Sequence, residues 1–198
     1  MSEEDLKSEI CCVMANIVSA RLTTAYGGNV SSRLPDEKWI WITPSGLFKG
    51  SLDPGSLVKL DLKGGVIEGE MKPSREAGMH LLIYEARRDV NAVIHCHPRF
   101  ATALGIAGRT ISPVSIEGAM LGRVPLVPYS MPGSRRLARE VSHSVSAGVN
   151  VAILQNHGVL AVGDSLESAL RRVQTLETAA EMMFIAEGLG GPTTIRAG

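Results

Sequence analysis

Two histidines two residues apart, His95 and His97, close the apolar run Ala92-Val93-Ile94. In an extended strand, residues two apart project from the same face. Both imidazoles therefore point one way, while Ile94 and Cys96 point the other. Pro98 favours extended backbone at His97. Such a pair is half of a divalent-metal site, because neutral imidazole suits zinc and similar ions. It is also the pattern of two histidines facing water at a strand end. His157 sits in Asn156-His157-Gly158 between two apolar strands, a tight turn that displays a side chain at a sheet edge. Glu76, in Lys72-Pro73-Ser74-Arg75-Glu76, falls in the first turn of a helix, where the macrodipole favours a carboxylate in any case. Each has a ligand reading and a purely local one. Cys96 reads as core, His80 as a core histidine or one standing behind the site, and His143 as exposed.

These residues need a scaffold, and the chain carries the signals of one. Ser2 with Asp5 reads as the N-cap of a helix whose apolar positions run from Leu6 to Val18, ended by Gly27-Gly28. Trp39 to Ile42 is a strand, followed by the turn Thr43-Pro44-Ser45-Gly46. Leu57–Leu62 and Val66–Glu70 flank Lys63-Gly64-Gly65 as a hairpin. Helices are expected over 74–88, from Pro98, over 132–147, and from Ser165 to about Glu187 with Asp164 as cap. Strands are expected over 91–97, 124–129, 151–155 and 159–162. Helices and strands interleave with no linker or repeat, so residues 1–198 read as a single α/β domain, with 189–198 a loose tail. The hairpins rule out a purely parallel, doubly wound sheet.

Composition narrows the function. Lys+Arg and Asp+Glu are each 20 in 198 residues, a net charge of zero. That argues against nucleic acid, which selects clustered cations. No apolar stretch approaches the roughly 18 residues of a membrane span, and the acidic start Met1-Ser2-Glu3-Glu4-Asp5 is unlike a signal peptide. Three cysteines without a C-x-x-C spacing suit reduced thiols, so a cytoplasmic location is expected. Neither G-x-G-x-x-G nor a P-loop occurs.

Five stretches in order resemble one family. Gly27-Gly28-Asn29-Val30-Ser31, Thr43-Pro44-Ser45-Gly46, Lys72-Pro73-Ser74-Arg75-Glu76, Val93-Ile94-His95-Cys96-His97-Pro98 and Asn156-His157-Gly158 are similar to the motifs of the class II aldolase/adducin-head family. The resemblance implies a three-layer α/β/α domain around a mixed, largely antiparallel sheet. It implies Zn2+, or Mn2+ or Co2+ in its place, held by His95, His97 and His157, with Glu76 as ligand and base. It also implies a homotetramer with sites at subunit boundaries and a phosphorylated small-molecule substrate. Adducin heads lack the metal histidines, which this chain has, so an enzyme is expected over a scaffold.

The chemistry fits those residue types. Making or breaking a C–C bond beside a ketone passes through an enediolate, whose charge a chelating metal stabilises. Gly28 would admit an anion close to the backbone, and Asn29 would donate from its amide. Ser45 offers a hydroxyl and Gly46 an N–H, and Ser74 stands at a helix start. The resemblance makes cleavage of a phosphorylated ketose to dihydroxyacetone phosphate and an aldehyde the leading expectation. Arg75 departs from the family's second serine and would suit a substrate carboxylate, as in relatives that decarboxylate phosphorylated sugar acids. Glutamate rather than aspartate at position 76 tilts away from epimerisation. The aldolase's proton-donating tyrosine has no counterpart in Val114-Ser115-Ile116-Glu117-Gly118. A dehydratase branch of the family places an acid/base glutamate in a similar stretch, so Glu117 is the candidate proton donor, reaching across an interface, and a dehydratase stays among the alternatives.

Overall fold

Ser2 caps the first helix by a reciprocal pair of bonds with Asp5, and the helix, α1, spans Glu3–Ser19. It ends well before Gly27-Gly28. Arg21 takes a left-handed conformation (φ 58°), and the chain folds back so that Leu22 is buried and its carbonyl accepts from His97 N–H at 2.9 Å. The computed structural model describes residues 1–146 and 148–195. The remaining elements are β1 (Asn29–Ser32), β2 (Trp39–Ile42), β3 (Val58–Asp61), β4 (Val66–Glu68), α2 (Ala77–Ala86), β5 (Ala92–Cys96), α3 (Arg99–Ile106), α4 (Ile116–Met120), β6 (Leu126–Val127), α5 (Arg135–Ser144), β7 (Val151–Leu154), β8 (Gly158–Gly163) and α6 (Leu166–Gly188).

The strands form one sheet of eight in the order β4-β3-β2-β1-β5-β8-β7-β6. Every pairing is antiparallel except β6 with β7. This is the expected mixed, largely antiparallel α/β sheet. Alternation along β5 splits its side chains between two cores. Ala92, Ile94 and Cys96 join α1, α3 and α6 on one side, and Val93 joins α2 and α5 on the other. Burying a side chain such as Ile94 or Leu160 is worth about 2 kcal/mol. His95 shares the Val93 face, and Cys96 is core on the opposite one.

Several boundaries differ from expectation for local reasons. Glu76 is the N-cap of α2, just before the helix, and Ser74 lies upstream of it. Ser165, not Asp164, caps α6, and Asp164 instead accepts from the Ser168 hydroxyl at 2.6 Å. α5 is shorter than 132–147, because Gly133 turns at φ 76° and Ser134 caps the helix. Ala147 lies outside the described residues. The expected strand over 124–129 reduces to Leu126–Val127. β1 and α4 were not foreseen as elements. Of the expected tail, residues 196–198 lie outside the described residues, and Ile195 N–H donates to Pro113 O at 2.7 Å.

Candidate metal centre

The middle of the sheet brings the candidate ligands together. Asn29 on β1 is paired with His95 on β5, and β8 flanks β5 on the other side. The turn between β7 and β8 reverses through Asn156 (φ 56°) and presents His157. Gly158 follows because a Cβ there would strike the Cys96 carbonyl and the His97 ring. Gly28 is required for similar reasons: its φ is 71°, and a Cβ would meet His95 O at 2.9 Å.

One ring nitrogen from each of His95, His97 and His157 lies within 4.8 Å of the others. His95 Nδ1–H donates to Val159 O at 2.8 Å, which leaves Nε2 as a lone-pair donor. That nitrogen faces His97 Nε2 at 3.1 Å. Glu76 spans the cluster, with Oε2 3.1 Å from His95 Nε2 and Oε1 3.3 Å from His157 Nε2. Thr23 Oγ1 lies 3.1 Å from His97 Nδ1.

The residues fit a divalent cation. Glu76 Oε1 and His157 Nδ1 are buried and make no hydrogen bond. Such groups are costly without a partner. Burial pushes His97 down to about 3 and His157 down to about 4, so both are neutral, lone-pair-bearing rings at neutral pH. For Glu76, burial alone would raise the carboxyl. Positive charge at the His95 and His157 positions, with the Asn29 hydrogen bond, outweighs burial and lowers the carboxyl, and a divalent cation held by neutral imidazoles would supply that charge.

A buried polar chain stands behind the carboxylate. Asn29 Nδ2 donates to Glu76 Oε2 at 3.0 Å, so Asn29 Oδ1 faces His80 Nε2, which must donate to it. His80 Nδ1 then accepts from the Ser31 hydroxyl at 2.7 Å, and Tyr84 donates to Ser31 O at 3.0 Å. His80 is fully buried and held neutral by it, pushed down to about 3. Spacing hinted at this: His80 lies one turn beyond Glu76, and Asn29 and Ser31 alternate on β1.

The cluster lies at the floor of a cavity of about 610 Å³. Gly28, Asn29, Ser45, Gly46, Ser74 and Arg75, the candidate anion-binding residues, all line it. They are not equally available. Ser45 Oγ donates to Pro73 O at 3.0 Å and accepts from Arg75 N–H at 3.2 Å, so its one proton is engaged. Ser74 Oγ accepts from Glu76 N–H at 3.2 Å and keeps its own proton to donate. The Asn29 amide keeps one N–H. Arg75 is exposed, with no ion pair among the described residues. Glu117 is not brought here: it stands exposed on α4, beside Arg171 and Arg172 in a separate depression. Lys49 also lines the cavity. Sequence reasoning missed it, although it lies just three residues after Gly46.

Similarity to known proteins runs the length of the chain. The chain is 33% identical over 189 residues to 3-oxo-tetronate 4-phosphate decarboxylase of Escherichia coli (strain K12), covering 92% of this chain and 88% of that protein. It is 33% identical over 180 residues to L-fuculose phosphate aldolase of Methanocaldococcus jannaschii, covering 90% of this chain and 96% of that protein. A solved structure described as L-fuculose 1-phosphate aldolase superposes with a TM-score of 0.93 at 31% identity, covering 99% of this chain and 92% of that one. The model of the family described as class II aldolase and adducin N-terminal domain matches residues 8–184. With that match running from α1 through α6, the chain belongs to the class II aldolase and adducin N-terminal domain family.

Proposed function

We propose that this protein is a metal-dependent aldolase. It would cleave a phosphorylated ketose of the L-fuculose 1-phosphate type to dihydroxyacetone phosphate and an aldehyde. The observation that carries the reading is the Glu76 carboxylate suspended between Asn29 and the imidazoles of His95 and His157 at the cavity floor. His95, His97 and His157 would hold the ion, with Glu76 as a fourth ligand, and three imidazoles with one carboxylate suit zinc. A divalent ion there would supply Lewis-acid stabilisation of negative charge developing beside a ketone.

The chain's own residues do the rest. Glu76 is ionised at neutral pH, so it can accept a carbon-bound proton as general base. The Asn29 bond to Oε2 sets the carboxylate's direction, leaving Oε1 as its unbonded face. Ser74, the second N–H of Asn29, the Gly46 backbone and the close approach allowed at Gly28 would bind the phosphoryl group, with Ser45 bracing the loop. Glu117 would serve as proton donor in a neighbouring subunit's site. The functional unit would be a homotetramer with sites at subunit boundaries, acting in the cytoplasm on a small molecule rather than on nucleic acid or a membrane. Among the described residues no helix is long and apolar enough to cross a membrane.

Arg75 favours a second reading, decarboxylation of a phosphorylated keto sugar acid at the same centre. Its side chain is exposed at the cavity wall, where a guanidinium would clamp a carboxylate, and one relative at 33% identity is named a decarboxylase of such a compound. Purified protein assayed on phosphorylated ketoses and keto-acids, with and without chelator, decides. Chelator-sensitive release of dihydroxyacetone phosphate supports the aldolase. Carbon dioxide release without ketose cleavage replaces it with the decarboxylase. A folded protein that never binds metal and turns over neither would be a scaffold of the adducin kind.

A further inference from the structure

We infer that the Lys49 ammonium is the resident counter-charge for the substrate's phosphoryl group and selects phosphorylated substrates in the cleft. This rests on the reading of the cavity as a sugar-phosphate site. Lys49 is 2% exposed, yet it is a cation. Its Nζ donates to Pro44 O, and it takes part in no ion pair among the described residues. An ammonium carries three donors, so two are left for a ligand. A buried charge without a counter-ion is costly, and an apolar chain of the same length would be cheaper.

Its position gives that cost a use. Lys49 lines the cavity beside Pro44, Ser45 and Gly46. Its main-chain N–H donates to Ala25 O at 2.7 Å, which ties it to the loop that leads into Gly28. The residue is thus held at its main chain by Ala25 and at its ammonium by Pro44. Glu76 is the single acidic lining residue, and it is committed to Asn29 and the histidines. Lys49 therefore faces no free carboxylate in the cavity lining. Burial lowers the ammonium to about 8, so it is still mostly charged at neutral pH and gains most from a multiply charged oxyanion.

The test uses the full chain and inorganic phosphate as probe. Phosphate should raise the Tm of the wild type and leave that of Lys49→Met unmoved, while Lys49→Met without phosphate melts no lower than wild type. Lys49→Gln, which keeps a donor for the Pro44 carbonyl, is the second variant and should respond like Lys49→Met. With a turned-over sugar phosphate, Lys49→Met should raise KM about 10- to 100-fold with kcat changed far less, as expected for loss of a charged hydrogen bond. Phosphate protection of both variants equal to that of wild type overturns the inference. Equal protection of wild type by acetate overturns the phosphoryl assignment in favour of a carboxylate. A Lys49-dependent phosphate shift without turnover of any sugar phosphate keeps this contact and removes the aldolase reading. Turnover with unchanged KM in Lys49→Met removes this contact alone.

Discussion

Strands β1 and β5 lie side by side, and their two ends are built to opposite rules. At one end Arg33 follows β1, 6% exposed, and spends its guanidinium on main-chain oxygens. Nε donates to Val90 O at 3.1 Å, and Nη2 to Arg87 O at 3.2 Å and Arg88 O at 3.3 Å. Its charge is dispersed over these main-chain carbonyls, and its guanidinium carbon lies 4.9 Å from the centre of the Tyr84 ring. At the other end His95, His97, His157 and Glu76 crowd together with Oε1 and a ring nitrogen left unbonded. Lys49, the buried cation of that end, has one carbonyl where Arg33 has several. A closed end serves the fold; an end with buried polar groups left unsatisfied is arranged around something else.

The largest break in this contrast should come from His95→Ala. Bound divalent metal should be lost in elemental analysis, and turnover should fall about 10³-fold or more, while the circular dichroism spectrum persists. Metal retained at full stoichiometry would end the reading of the open end. Glu76→Gln should come next. It keeps the shape and the Asn29 contact but not the base, so kcat should fall about 10²- to 10⁴-fold. A kcat within about threefold of wild type would move the base elsewhere.

The closed end should answer in stability instead. Arg33→Met removes the side-chain donors to the Val90, Arg87 and Arg88 carbonyls and should cost about 2 kcal/mol in urea unfolding. The folded fraction should keep its activity; a selective loss of kcat would erase the distinction between the ends.

Acid sharpens the same contrast at smaller scale. His80 ordinarily titrates near 6.5 and is held near 3 in the fold. As pH falls the unfolded chain binds its proton first, so stability is full above about 6.5 and drains away towards about 3. At pH 5 the loss from His80 alone should be about 2 kcal/mol in the metal-free protein. His80→Asn should remove only the His80 share of that slope and leave the part due to His97 and His157, whereas Arg33→Met should leave all of it unchanged. A metal-free urea midpoint that does not move between pH 7 and pH 5 would contradict the assignment.

Much of this was legible in the chain itself. Alternation assigned His95 and Cys96 to opposite faces, and the structure puts His95 with Val93 and Cys96 in the other core. The capping box at Ser2 and Asp5 and the hairpin at Lys63-Gly64-Gly65 are local chemistry and came out as read. The end of α1 did not. Gly27-Gly28 looked like a helix stop, but the positive φ at Gly28 answers contact with the His95 carbonyl, a residue far away in sequence. β1 escaped notice for a similar reason. Its polar positions, Asn29 and Ser31, break the apolar pattern of a buried strand because they bond to Glu76 and His80.

Residue types and spacing thus determined the kinds of donor, the faces they occupy and the class of fold, because those follow from periods of two and 3.6. Only tertiary structure decided which donors meet. It put Asn29 opposite His95, swung the β7–β8 turn so that His157 reaches Glu76, and left Glu117 in a different depression. It also decided which polar groups are spent and which are spare. Ser45 is engaged while Ser74 retains its proton, and Arg33 is satisfied while Lys49 is not. Burial and partnership depend on chain segments far apart in sequence, and no local pattern records them.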